Sequence, residues 1–301
     1  MGAPIRCLML RGGLLFALVL PFIQFLLVLG IALKLEPLDF RRLLVKPRAL
    51  VWGLVAQLLL LPVLALMLGR WLALEPPVAV GLVLLAACPG GPAANAFTWL
   101  ARGDLALSVF LTPIGSLITV FTIPVIMNLA LGVFMDTAKD LSLPFLPTIG
   151  QIALMRVLPL GLGVLLRQRV PGWSKRWQRP LLRLAVGLMV IIVAVLIVQQ
   201  WSAIVPIFRQ SGVAGLQLNL LGMVGTILVA AMLRLPWGSC SAIAFGTGIK
   251  SVSLAITIAA SPLMLNMPLA ALPAASYGLL MYFTGLLLAI LCRYSLKLGQ
   301  G

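Results

Sequence analysis

The sequence predicts an all-α polytopic membrane protein of about nine transmembrane helices, on three observations. Apolar residues make up 62% of the 301 and charged residues only 9%, with a mean hydropathy of +1.17. Apolar runs of about 20 residues, enough to cross the hydrocarbon core, follow one another along the chain. The charges gather mainly in the short gaps between those runs, where they set orientation in a bilayer. A soluble domain carries about a quarter charged residues and would not cover its surface with so few.

Taken in order, the predicted spans are 12–33, 49–70, 77–101, 105–132, 143–166, 181–202, 211–234, 237–261 and 268–292. The first is too long for the apolar core of a signal peptide. No A-x-A-like cleavage site follows it, so it is read as a retained helix. No segment is long enough for a soluble domain, and 1–301 is read as a single transmembrane unit.

The gaps give the orientation. Lys34, Arg41, Arg42, Lys46 and Arg48 crowd the first, and Arg167, Arg169, Lys175, Arg176 and Arg179 the fifth. Asp136, Lys139 and Asp140 share the fourth, Arg209 stands alone in the sixth, and Arg293 and Lys297 follow the last span. Positive excess alternates from gap to gap. That predicts a multi-pass protein of the inner (plasma) membrane, N-terminus outside and C-terminus cytoplasmic. Arg6 and Arg11 run against this orientation.

Composition also excludes function classes. The 22 Lys+Arg against 6 Asp+Glu give a net charge of +16, but the cations form no single patch, so nucleic acid is not the expected partner. The absence of histidine removes histidine acid–base work and histidine metal sites. The predicted spans hold no Asp or Glu, so an embedded enzyme would lack an acid, a base and a metal cluster. Cys7, Cys88, Cys240 and Cys292 are scattered, mostly in apolar runs, and read as reduced packing residues. No cofactor is expected.

Two spans differ from the rest. The third contains Cys88-Pro89-Gly90-Gly91-Pro92-Ala93-Ala94-Asn95, whose prolines and glycines cannot continue a regular helix. The eighth contains Phe245-Gly246-Thr247-Gly248-Ile249-Lys250-Ser251, where the break is expected at Gly246. Lipid cannot satisfy the freed backbone groups, so both breaks must meet protein or a watery cavity. The two spans lie five apart and therefore run in opposite directions. Paired interrupted helices in corresponding halves point to an inverted repeat with a midplane site, the architecture of secondary transporters. The repeats are expected over 12–132 and 143–292, the first lacking its opening helix. A channel is the alternative, although a discontinuous inverted pair suits alternating access better than an open pore.

Several side chains are candidates for that site. Lys250 has about ten apolar or small residues to either side. A mid-bilayer charge costs at least about 2.5–3.5 kcal/mol, so it is expected to face a polar cavity or the broken backbone, the alternative being a place nearer the interface. Arg156, midway along the fifth span, either faces the cavity and attracts an anion or packs at an interface. Gln57, Ser108 and Thr112 are polar groups in apolar helices. Ser108 and Thr112 share a helix face, and each alone more often bonds its own backbone.

At these motifs the chain resembles the bile acid:sodium symporter family. Leu35-Glu36-Pro37-Leu38-Asp39-Phe40-Arg41-Arg42 is similar to that family's first cytoplasmic loop. The run from Ala87 to Asn95, followed by Leu100-Ala101-Arg102-Gly103-Asp104-Leu105-Ala106-Leu107-Ser108-Val109, is similar to its signature. The resemblance covers about residues 25 to 295. It implies a core domain with two broken helices crossing near the midplane, a panel domain beside it, and usually ten helices. It also implies organic anion substrates such as bile acids, sulfated steroids or small carboxylates, usually driven by sodium. Asn95, Ser108 and Thr112 match residues of the family's first sodium site, where Ala94 replaces a serine, and Gln57 matches a ligand of the second.

The family's second broken helix departs here. Gly246 stands for its glutamate and Gly248 matches, while Lys250 stands for its glutamine and Ser251 for its asparagine. A carboxylate is lost and a cation arrives, which repels sodium. The expectation is a sodium-independent transporter of a small organic anion, proton-coupled through Lys250 or facilitative. The alternatives are sodium coupling retained through Asn95, Ser108 and Thr112, or an inactive relative. Substrate identity and oligomeric state are not readable from the sequence.

Overall fold

A computed structural model describes residues 47–91, 93–135, 145–199, 201–261 and 264–298, together with single residues between 19 and 33. Pro92, the gap residues Lys34, Arg41, Arg42, Lys46, Asp136, Lys139 and Asp140, and most of the first predicted span lie outside the described residues. The described residues form helices and turns throughout, and no strand occurs among them. Helix α1 runs Pro47–Trp71. Helices α2 (Pro76–Ala87) and α3 (Ala93–Leu100) share the third predicted span, and α4 is Leu105–Phe134. Helices α5 (Phe145–Arg169), α6 (Pro171–Gln199) and α7 (Trp201–Met232) follow. The eighth predicted span divides into α8 (Trp237–Gly248) and α9 (Val252–Ala260), and a short turn at Pro268–Ala271 leads into α10 (Leu272–Leu298).

Five described helices are long and apolar enough to cross a membrane: Pro47–Trp71, Leu105–Phe134, Leu146–Arg169, Ser211–Met232 and Pro268–Arg293. Their outer faces are built for lipid. On α1, Val51, Val55, Leu59, Val63, Met67 and Trp71 recur every four residues and are all exposed, which is one stripe of a helix. Phe121, Val125 and Leu129 do the same on α4. By contrast, α2 is buried from Val78 to Ala87 and α8 from Ser239 to Gly248. A helix buried on every side must be apolar or small all round, and these two are. The chain is therefore an all-helical membrane protein with interrupted helices inside and continuous ones outside.

Matching turns feed the two interrupted segments. Ala73 and Arg234 both take positive φ, 46° and 54°. In each turn the next residue's N–H reaches back five residues, Leu74 to Gly69 and Leu235 to Ala230. This is the paired-carbonyl ending of a helix, with a proline two residues or fewer further on to start the next.

Three expectations are corrected. Gly246 is not the break: it lies inside α8, which runs on to Gly248, and the chain leaves the helix at Ile249. The reason is that the Ile249 N–H still closes a helical bond to the Phe245 carbonyl, 2.8 Å. The gap that held Arg209 is helical backbone within α7, since a lone arginine is a good helix former. The fifth gap is no loop either. Val170 alone separates α5 from α6, and Pro171, whose fixed φ suits the first helical position, restarts the helix. Lys175, Arg176 and Arg179 ride on its opening turns.

Candidate functional site

The site begins with two interruptions that repair each other. α2 ends at Ala87, and Cys88 is extended with ψ 150°. Pro89 has no N–H to lose, and its carbonyl accepts from the Ser251 N–H at 3.0 Å. The Gly91 N–H donates to the Ile249 carbonyl at 2.7 Å. Gly90 and Lys250 thus face each other as an isolated antiparallel bridge. Each break supplies the backbone partners that lipid cannot. Close approach explains the glycines. A Cβ on Gly90 would sit 2.8 Å from the Gly246 carbonyl oxygen, and one on Gly91 2.8 Å from that of Lys250.

The loose carbonyl at the end of α8 is capped by side chains. Asn219 Nδ2 on α7 and the Tyr277 hydroxyl on α10 donate to the Gly248 carbonyl at 2.8 and 2.7 Å. Asn219 Nδ2 also lies 2.9 Å from the Tyr277 oxygen. Both residues are fully buried.

Gln57 addresses both breaks. Its Oε1 accepts from the Gly90 N–H at 3.3 Å, and its Nε2 donates to the Leu111 carbonyl of α4 at 3.3 Å. Its backbone carbonyl accepts from Lys250 Nζ at 3.1 Å. A local defect frees that carbonyl. Ala56–Leu60 is π-helical, so the Leu61 N–H reaches back to Ala56 rather than to Gln57. The next donor in that pattern would be residue 62, a proline with no N–H. The Gln57 carbonyl is left over, and the lysine takes it. Such one-turn π segments recur at functional sites.

Lys250 is 1% exposed and Arg156 5%. Their heads have different partners. Arg156, on α5, donates from Nη2 to the Ser251 hydroxyl at 2.8 Å and from Nη1 to the Ser116 hydroxyl at 3.2 Å. Its Nε is buried with no protein partner. Ser116 in turn donates to the Thr112 carbonyl at 2.8 Å. These two cations are the only buried charged side chains among the described residues.

The structure brings together Gln57, Lys250, Ser251, Gly248 and Arg156 around the crossing. Asn95 and Ser108, together with Thr98, form a second group. The Ser108 hydroxyl donates to Asn95 Oδ1 at 2.8 Å, and Thr98 Oγ1 lies 3.1 Å from Ser108 Oγ. Two oxygens that a cation would need are thereby turned toward each other. Thr112 is half-buried one turn further along α4. Sequence reasoning missed Ser116, Asn219 and Tyr277. Ser116 continues the Ser108–Thr112 stripe by one more turn, and Asn219 is, with Gln217, one of two amides within an apolar span. Both signals were present.

Interrupted helices that cross inside a shell of lipid-facing ones, with polar groups gathered at the crossing, define a membrane transporter. Comparison with known proteins gives the family: the Sodium Bile acid symporter family matches residues 20–207, and the chain belongs to it. The uncharacterized sodium-dependent transporter YocS of Bacillus subtilis is 30% identical over 91% of this chain and 83% of its own. The probable sodium/metabolite cotransporter BASS1 of Arabidopsis thaliana chloroplasts is 28% identical over 89% and 65%. The human sodium-dependent organic anion transporter is 26% identical over 91% and 72%. The family is one of transporters, not enzymes.

Proposed function

We propose that this protein moves a small organic anion across the inner membrane by alternating access, without sodium. The observation that carries the reading is the pair of buried cations at the crossing, with no buried Asp or Glu among the described residues. A sodium ion wants oxygen ligands and a compensating negative charge. Here the ammonium of Lys250 already occupies the leftover Gln57 carbonyl, and Asn95 and Ser108 bond each other. The same charges favour an anion, in line with the name of the human relative. In this reading a substrate carboxylate or sulfate is drawn toward Arg156, and Lys250 either exchanges a proton during the cycle or serves as a fixed charge.

The architecture proposed with it has nine spans in an inverted repeat, a core and a panel domain, N-terminus outside and C-terminus cytoplasmic. The matching turns at Ala73 and Arg234 and the antiparallel crossing support the repeat.

The test needs no known substrate. A ligand that binds only the folded state raises stability by RT ln(1 + [L]/Kd). Melting of the purified protein is compared in sodium chloride and choline chloride. No sodium-specific rise is expected in the native chain, and one is expected in the double variant Lys250→Gln, Gly246→Glu. The first atom of a new side chain at Gly246 meets Leu111 at 3.6 Å, an ordinary contact. A saturable sodium-specific rise in the native protein would instead establish sodium coupling through Asn95, Ser108 and Thr112, which the names of the relatives favour. Unchanged pH-dependence of uptake in Lys250→Gln would remove the proton-coupled form.

A further inference from the structure

The two hydroxyls that hold Arg156 differ in one respect. Arg156, Ser116 and Ser251 are each more than nine-tenths buried. Nη1 donates to the Ser116 oxygen at 3.2 Å and Nη2 to the Ser251 oxygen at 2.8 Å. A hydroxyl has one proton to give and lone pairs to receive with. Ser116 has given its proton away, to the Thr112 carbonyl one turn back on α4 at 2.8 Å. That carbonyl belongs to its own helix, so the hydroxyl is fixed in direction. Ser251 accepts from Arg156, and among the described residues its own proton has no acceptor.

The difference decides how each hydroxyl meets an anion. An oxygen whose lone pairs face Arg156 attracts the guanidinium and repels a carboxylate or sulfate. Ser251 can turn its free proton toward such a cargo and help to hold it. Ser116 cannot do so without giving up the Thr112 carbonyl. It is a competitor of the cargo and nothing else. Nε, buried with no protein partner, leaves the head one donor open to a cargo oxygen. A carrier needs a competitor of this kind. Buried cations attract an anion strongly, because little water screens them. Transport needs binding favourable enough to load and weak enough to let go.

We infer that Ser116 sets how readily the cargo leaves. It is a positioning residue that acts through Arg156: as the anion departs, Nη1 has an oxygen of the protein's own to return to. Ser116 thereby lowers affinity and speeds release. The inference rests on the reading of Arg156 as the seat of the anion.

The test uses the full chain in sodium-free proteoliposomes, offered a mixture of acetate, pyruvate, succinate and taurocholate, with the uptake of each read by mass spectrometry. Half-saturating concentration and maximal rate are measured for every member that the native chain moves. Ser116→Ala is expected to lower the half-saturating concentration about tenfold, the lower end for a hydrogen bond to a charged group, and to lower the maximal rate with it. Alanine suits a helix interior, and Thr119 bonds the Ser116 carbonyl rather than its side chain, so α4 is expected to keep its form. Ser116→Thr keeps the hydroxyl and is expected to behave as the native chain. Ser251→Ala removes a donor to the cargo together with a competitor and is not expected to tighten binding. If Ser116→Ala does not fold, Ser116→Cys, whose sulfur is a weak acceptor, is expected to shift the same way by less. A higher half-saturating concentration would make Ser116 a plain support for the arginine and overturn the inference, and so would unchanged kinetics. Arg156→Gln reads the underlying proposal separately. Uptake that persists in that variant, or none by the native chain without sodium, removes the anion seat itself.

Discussion

Replacing Lys250 with methionine separates a structural lysine from a functional one. The side chains are similar in length and volume, so packing changes little. Two opposing effects remain. Removing a charge from the membrane interior returns at least about 2.5–3.5 kcal/mol. Leaving the Gln57 carbonyl without its donor costs about 1–3 kcal/mol, because Pro62 has no N–H to replace it. The difference runs from a loss of about 0.5 to a gain of about 2.5 kcal/mol. Lys250→Met is therefore expected to be as stable as the native chain or more so, while losing substrate-anion uptake into proteoliposomes. Stability is read by thermal and denaturant unfolding in one detergent. Destabilisation by more than about 2 kcal/mol, outside the range those terms allow, would refute the argument and make the lysine a structural tie.

Two further predictions concern the crossing. Gly91→Ala places a methyl 2.8 Å from the Lys250 carbonyl oxygen, which is backbone and cannot rotate away. It should cost about 2–3 kcal/mol or prevent folding, whereas Gly246→Ala, with its nearest contact at 3.6 Å, should melt close to the native protein. Tyr277→Phe should cost only about 1 kcal/mol, because Asn219 still serves the Gly248 carbonyl. Asn219→Leu added to it should cost more than the two single changes summed, since the carbonyl then has neither donor. A double-mutant cycle on melting free energies checks this, and strict additivity would count against the shared cap.

Much of this arrangement is legible in the sequence. Composition and run length lead to a helical membrane protein, and the Pro89-Gly90-Gly91 cluster marks the first break because those residues cannot be helical together. The second break is harder to read. Gly246 and Gly248 look alike as helix breakers, yet both are helical, and the chain departs at Ile249 because its position is set by pairing with Pro89 and Gly91. That pairing is a tertiary fact with no local signal. The same holds for Arg156. Its place midway along an apolar span left cavity and interface equally open, and only the fold brings it to Ser251 and Ser116. The π segment at Ala56–Leu60 is intermediate: Pro62 is visible, but its effect on the Gln57 carbonyl appears only once Lys250 arrives beside it.

Gln57 fastens α1 to both breaks and to α4 at once, through its side chain and its carbonyl. Those parts are therefore tied together at a single residue. The hold of α5 on the same crossing is of another kind: two hydroxyl contacts made by the planar head of Arg156. A newcomer with two oxygens competes for the same head on equal terms. In the proposed reading, cargo arriving there would exchange those two contacts for its own, while α5 stays packed on the core through Ile152.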